Sequence, residues 1–301
     1  MTVVSVVSVA TSGPVIARLA IRGARRIVVP AIALPAEEHS MSSSSRTCLV
    51  TGVASGIGRA TAARLRAQNC TVIGADLDGA DIHADLATPE GRTELVERAR
   101  ELTGGRLDAV IACAGVAGFD PLTVKVNHFG AVATLEGLRP LLAAGTDPRA
   151  VVVSSVASVH PCDTAVVDAA LAGDEPAAVA AAQAAVDRGE GYLLYGSSKS
   201  AVARWVRRNA TTADWAGAGI PLNAVAPGTV VTPMTAPMLA DPETRQVVDT
   251  SVPMPLHGHA RPEQVAPLLT WLTSPENTHV TGQVVFLDGG ADAVLRGDRT
   301  W

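Results

Sequence analysis

The chain has 301 residues, 48% hydrophobic and 18% charged, enough apolar side chain to bury one substantial core. A formal net charge of −5 offers no basic surface for nucleic acid or an anionic membrane, and no apolar run reaches membrane-spanning length. The four cysteines, Cys48, Cys70, Cys113 and Cys162, form no CxxC pair, which argues against a disulfide framework or zinc site and for a reduced, cytoplasmic compartment.

Residues 1–45 differ in composition from the rest of the chain. A Val- and Ser-rich start leads to Arg18, Arg22, Arg25 and Arg26, with no acid before Glu37. No basic segment precedes the apolar start, so a secretory signal fits poorly, and the Arg-rich character only faintly suits an organelle transit peptide. The expectation is a disordered extension, or an upstream start codon, with Met41 and the serines Ser42 to Ser45 as the natural beginning.

From Arg46 onward β-branched runs alternate with Ala/Leu/Arg segments of helical period. Thr47–Val50, Thr71–Ala75, Ala109–Ala112, Ala150–Val153, Leu222–Val225 and Val284–Leu287 read as buried strands. Helices are expected near 57–69, 89–102, 122–144, 196–215 and 262–273. This alternation predicts an α/β fold over 46–301, a Rossmann-type doubly wound parallel sheet with ligands bound at the strand C-termini. One acidic, Ala-rich stretch, about 160–190, breaks the rhythm and reads as a helical insertion. Its second helix has Asp174 as N-cap, Pro176 in the first turn and Gly189 as its stop. Ala165, Val166, Ala169, Ala170 and Ala178, Ala181, Ala182, Ala185 would form narrow packing faces.

The first strand runs into Thr51-Gly52-Val53-Ala54-Ser55-Gly56-Ile57-Gly58 and then a helix. Glycines there let backbone approach a pyrophosphate closely and leave helix N–H groups free for it. The second strand ends in Asp76, 18 residues past Gly58, where a carboxylate accepts both hydroxyls of an adenosine ribose and repels a 2′-phosphate. No Lys or Arg stands at Ser55 or Leu77 to offset that repulsion, which favours NAD over NADP. Asp85, followed by Leu86, either meets the adenine amino group or caps the helix beginning at Pro89.

Tyr195 and Lys199 stand four residues apart on one helix face, in a chain with only two tyrosines. A free phenol titrates near ~10 and is a poor base at neutral pH, but a fixed cation beside it favours the phenolate. The strand ending at Val153 is followed by Ser154 and Ser155, either of which could hold a substrate oxygen; adjacent strand residues face opposite ways, so they cannot share the role.

The glycine turn at Thr51 to Gly58, the Tyr195-x-x-x-Lys199 pair, Asn127 in Val126-Asn127-His128, and Pro227-Gly228 followed by Thr232 together resemble the short-chain dehydrogenase/reductase family over roughly 46–290. The resemblance implies an oxidoreductase moving hydride between NAD(H) and a secondary alcohol or ketone, with Ser155, Tyr195, Lys199 and Asn127 as its catalytic set. It implies that Asn127 holds a water linking Lys199 to solvent, that Ala114 and Gly115 line the cofactor, and that Pro227, Gly228, Val230 and Thr232 meet the nicotinamide end.

Two departures stand out. The family's Asn-Asn-Ala-Gly appears as Ala112-Cys113-Ala114-Gly115, so sheet support from Asn side chains is expected to be lost, and 39 residues lie between Ser155 and Tyr195. That long spacing, with Ser154 to Ser158 and the tail from Asp288, is similar to bacterial 3α-hydroxysteroid dehydrogenase/carbonyl reductases; coniferyl-alcohol dehydrogenases share the plan. In the family the helix carrying Tyr195 and Lys199 commonly packs subunits into tetramers; the insertion is expected either to block that contact, leaving a homodimer, and to cover a bulky substrate, or to be a solvated surface elaboration. A non-catalytic NAD-sensing or scaffold protein is the rival of another class, which would not need the catalytic set.

His257 and His259 have no evident acid or Cys to complete a metal site, so no metal is expected. Cys113 is either a redox switch near the cofactor or a buried inert thiol; Met234 and Met238 form either a flap or core packing.

Overall fold

The computed structural model describes residues 45–298. Of the extension expected over 1–45, all but Ser45 lies outside the described residues.

The elements run β1 (Thr47–Thr51), α1 (Gly56–Ala67), β2 (Thr71–Asp76), β3 (Ile82–His83), α2 (Pro89–Thr103) and β4 (Ala109–Ala112). Then α3 (Leu122–Val124) passes through a π-helical segment, Lys125–Gly130, into α4 (Ala131–Ala143). After β5 (Arg149–Val153) come α5 (Thr164–Leu171), α6 (Glu175–Asp187) and α7 (Leu193–Asn209). β6 (Leu222–Pro227), α8 (Ala236–Ala240), α9 (Pro242–Ser251), α10 (Pro262–Leu272), β7 (Val284–Leu287) and α11 (Ala291–Arg296) complete the described chain.

The strands form one seven-stranded sheet in the order β3-β2-β1-β4-β5-β6-β7, with every pair parallel. The doubly wound expectation holds, with β3 added at the edge. Alternate residues of each strand feed opposite cores. Leu49, Val110 and Val152 join Leu95, Leu135, Leu138 and Val206 of α2, α4 and α7. Val50, Ile111 and Val151 join Ala62 and Leu65 of α1 and Val265 and Leu269 of α10. Strand order reverses between β1 and β4, so the ligand crevice opens above their C-termini.

The insertion forms the two helices expected. Asp174 caps α6, its carboxylate accepting from the Ala177 amide at 2.9 Å. Val166, Val167 and Ala170 of α5 and Ala178, Ala182 and Ala185 of α6 bury against Val124, Phe129, Leu194 and Ala201. Ala165, expected on that face, is exposed, and Val167 takes its place. The helix expected over 196–215 instead starts at Leu193, with Gly196 inside it, and ends at Asn209.

Candidate active site

The glycine turn rises from β1 with Gly52 at φ +74° and Gly56 at φ +52°, backbone that favours glycine. A Cβ on Gly58 would lie 2.1 Å from the Gly52 carbonyl oxygen, so the turn closes only without one. Ser55 is the N-cap of α1 but makes no side-chain cap, and the first amides of the helix therefore face the crevice without a capping oxygen. Ile57 is half-buried and packs on the α1–α10 core. Thr51 accepts from the Cys113 and Ala114 amides at 3.1 and 3.0 Å. The tops of β1 and β4 are thus tied by a threonine, in a chain where loss of support from Asn side chains was expected.

Asp76 ends β2 with one carboxylate oxygen on the Ala54 amide at 2.9 Å and the other on the Leu77 amide at 2.7 Å. These bonds fix the carboxylate beside the glycine turn and leave each oxygen a further lone pair. Asp85 is exposed and accepts from the Ala87 amide at 2.9 Å, forming a local turn. It does not cap α2; Thr88 does, accepting from the Gly91 amide at 3.0 Å. Leu86 is buried, and Gly130 on the neighbouring helix lacks the Cβ that would crowd it at 2.9 Å.

Tyr195, Lys199, Ser155 and Asn127 converge at the C-terminal edge of β4 and β5. Lys199 is buried, with Nζ donating to the Val153 carbonyl at 2.9 Å and lying 5.8 Å from the centre of the Tyr195 ring. Burial lowers the Lys199 ammonium to about 8. Burial pushes the Tyr195 phenol up, and the Ser155 hydroxyl beside it works in the opposite direction. The two serines separate cleanly. Ser154 is buried and donates to the Lys199 carbonyl at 2.9 Å, pinning β5 to α7. Ser155 accepts from the Ala157 amide at 3.1 Å and faces the tyrosine.

Asn127 lies in the π-helical segment, a feature often found at functional sites. Its Oδ1 accepts from the Val116 amide at 2.8 Å, and its Nδ2 donates to the Val116 carbonyl at 2.9 Å and to Ser198 Oγ at 3.1 Å. These bonds hold the carboxamide against the Val116 backbone and Ser198. A Cβ on Gly115 would meet Asn127 Oδ1 at 3.0 Å and Lys199 Nζ at 3.4 Å, so Gly115 lets the two approach; the half-buried Ala114 precedes it.

Pro227, the last residue of β6, is buried, and a Cβ on Gly228 just beyond it would strike Met254 Sδ at 2.8 Å. Val230 bridges to Ala260, and Thr232 donates its amide to Thr235 Oγ1 at 2.9 Å. Thr232 also reaches the glycine turn: a Cβ on Gly56 would lie 3.2 Å from its Cγ2. Sequence reasoning passed over Met254, which supports this loop by accepting from the Thr229 amide at 3.2 Å.

His259 has an acid partner that the sequence did not reveal, Asp249, with Nε2 and Oδ1 2.6 Å apart. No cluster of three or more metal-ligating side chains occurs among the described residues. Burial raises the Cys113 thiol to about 12, which keeps it protonated and favours the inert reading. Met234 and Met238 belong to no core cluster of the described residues.

A family profile described as enoyl-(acyl carrier protein) reductase matches residues 52–292. The chain is 37% identical over 253 residues to the 3-alpha-hydroxysteroid dehydrogenase/carbonyl reductase of Comamonas testosteroni, covering 82% of this chain and 97% of that protein. The chain belongs to the short-chain dehydrogenase/reductase family. Within that family it is also 31% identical over 251 residues to the cis-4-hydroxycyclohexanecarboxylate dehydrogenase of Sinomonas cyclohexanicum, covering 83% of this chain and 97% of that one. The 3-alpha-hydroxysteroid dehydrogenase from Pseudomonas sp. B-0831, solved in complex with NADH, superposes with a TM-score of 0.77 at 41% identity, covering 84% of this chain and 99% of that chain. A nicotinamide cofactor fits the crevice of this dehydrogenase/reductase, because Gly52, Gly56 and Gly58 leave backbone space and the α1 N-terminus lacks a capping side chain.

Proposed function

We propose that this protein oxidises secondary alcohols, or reduces the matching ketones, with NAD(H), and that its substrates are 3α-hydroxysteroids or similarly bulky cyclic compounds. The observation that carries the reading is the convergence of Tyr195, Lys199 and Ser155 at the sheet edge beside the glycine turn. The substrate class is supported by the Comamonas and Pseudomonas relatives named for 3-alpha-hydroxysteroids.

In this reading the bound nicotinamide supplies or accepts the hydride. Ser155 Oγ holds the substrate oxygen in place. Tyr195 Oη takes the hydroxyl proton during oxidation and returns it during reduction. Lys199, held on Val153, favours the phenolate while charged. Asn127 fixes the Val116 backbone beside Gly115 and so holds the wall next to Lys199.

Asp76 selects NAD, since both carboxylate oxygens are anchored where a ribose 2′-phosphate would be repelled. The assembly in this reading is a homodimer, because α5 and α6 cover Leu194 and Ala201 on α7. The compartment is the cytoplasm, in keeping with four free thiols. No helix among the described residues is long and apolar enough to cross a membrane. A panel of steroid, cyclic and aromatic secondary alcohols, followed by NADH formation, tests the substrate reading. The highest kcat/KM is expected for a 3α-hydroxysteroid or bulky cyclic alcohol; activity confined to aromatic alcohols would contradict it.

A further inference from the structure

An arginine near the start of the Glu/Arg-rich helix α2 would ordinarily sit in solvent. Arg92 does not: its side chain is 12% exposed. Its Nε donates to the Leu86 carbonyl at 2.7 Å, and Nη2 donates to the Lys125 carbonyl at 3.2 Å. The same guanidinium grips the Glu175 carboxylate with both arms, at 2.5 and 2.9 Å. Three separate segments therefore meet on one planar group: the loop after Asp85, the start of the π-helical turn that carries Asn127, and the first turn of α6 in the insertion. Only a guanidinium offers enough donors in a fixed fork to hold all three.

A second tie runs in parallel. His128, next to Asn127 in that turn, is buried, and burial lowers it to about 4, so the ring is neutral at ordinary pH. Its Nε2 lies 2.9 Å from the Ala170 carbonyl, which can only accept, so this nitrogen carries the proton and donates to α5. The insertion thus holds the π-helical turn from α5 through His128 and from α6 through Arg92.

We propose that Arg92 is a positioning residue, through which Glu175 of the insertion sets the backbone at Leu86, next to Asp85, and the turn bearing Asn127. The proposal rests on the reading of the crevice as a nicotinamide-cofactor site. It gives the insertion a task inside the active site, as a brace on the cofactor side of the crevice.

The test compares Arg92→Lys and Glu175→Gln with the parent protein, measuring the NADH dissociation constant by fluorescence, the separate KM values for NAD and alcohol, and Tm. Lysine keeps the charge but loses the fork, so NADH binding should weaken about tenfold, with KM for NAD rising in step. Glu175→Gln, which preserves shape, should weaken NADH about threefold. KM for the alcohol should stay within about twofold in both, a split that a general loosening of the fold would not give. NADH affinity within about twofold of the parent in both variants, with only Tm reduced, would make Arg92 a fold strut and overturn the proposal. Should Arg92→Lys fail to fold, Glu175→Gln decides on the same criteria. A parent protein that binds no NADH would overturn the cofactor reading, and this proposal with it.

Discussion

Lys199 holds its ammonium 5.8 Å from the centre of the Tyr195 ring while donating to the Val153 carbonyl at 2.9 Å. The lysine is thus fixed by the strand end it donates to, at a set distance from the tyrosine ring. Burial acts on the two groups in opposite senses, lowering Lys199 to about 8 and raising Tyr195.

The first prediction concerns pH and catalysis. The raised Tyr195 stays a phenol at neutral pH in the cofactor-free protein, so alcohol oxidation, which needs the phenolate, should speed up as pH rises. Ketone reduction, which needs the phenol, should stay level over that range and fall only once the tyrosine itself titrates. In pH profiles of kcat/KM oxidation should therefore climb by about tenfold per pH unit on its rising limb while reduction is level or falling. Parallel profiles would show that Tyr195 does not carry the proton.

Stability gives an independent check on the same lysine. Between about 8, the folded value, and its ordinary value of 10.5, the unfolded chain binds more protons at this group than the folded chain does. The cost of burying the charge is therefore fully present below about 8 and is relieved as pH rises through that window. Measured on the cofactor-free protein, the Tm of the parent relative to Lys199→Met should climb by a few degrees between about pH 7 and pH 10. A difference that stays flat would mean that burial does not penalise the ammonium.

Cofactor choice should follow Asp76. The unmodified protein should prefer NAD over NADP in kcat/KM, and Asp76→Ala should narrow the gap by about tenfold or more. Equal use of both cofactors by the parent would remove Asp76 from the ribose site.

Gly58 offers a steric test of the cradle. In Gly58→Ala the new Cβ must displace the Gly52 carbonyl from 2.1 Å, which opens the turn. NADH affinity should fall by at least about tenfold, with a loss of roughly 1–3 kcal/mol in stability. Unchanged NADH affinity would mean the turn does not shape the site.

These features were not equally visible in the sequence. The inner strands β1, β4, β5 and β6 show as apolar runs because parallel strands are covered on both faces, whereas β7, expected to be buried, lies at the sheet edge and is half-buried throughout. The two residues of β3 are too few for any periodicity, and α8 and α9 bury no residue, so neither writes an apolar stripe. Tyr195 and Lys199 were readable because helical spacing alone brings them together. Arg92 and Glu175 were not, since they lie 83 residues apart and meet only after the insertion folds back on α2. The choice of Ser155 over Ser154 needed the family resemblance; the structure adds that Ser154 is bound to the Lys199 backbone. The Asp249 partner of His259 was hidden because α9 carries no packing signal.

The insertion also bears on assembly. Light scattering should give the mass of a dimer, and replacing residues 162–188 with a short Gly/Ser linker should uncover Leu194 and Ala201 and shift the protein to a larger assembly. An oligomer unchanged by that replacement would separate the insertion from quaternary structure.

The most direct measurement is the turnover of Tyr195→Phe on a 3α-hydroxysteroid with NAD, alongside its NADH affinity. Removing one hydroxyl takes away the transferable proton and leaves the glycine turn, Asp76 and Lys199 in place. Turnover should fall by at least about a hundredfold while the NADH dissociation constant stays within about twofold. A variant that keeps more than about a few per cent of the parent's activity would contradict the account.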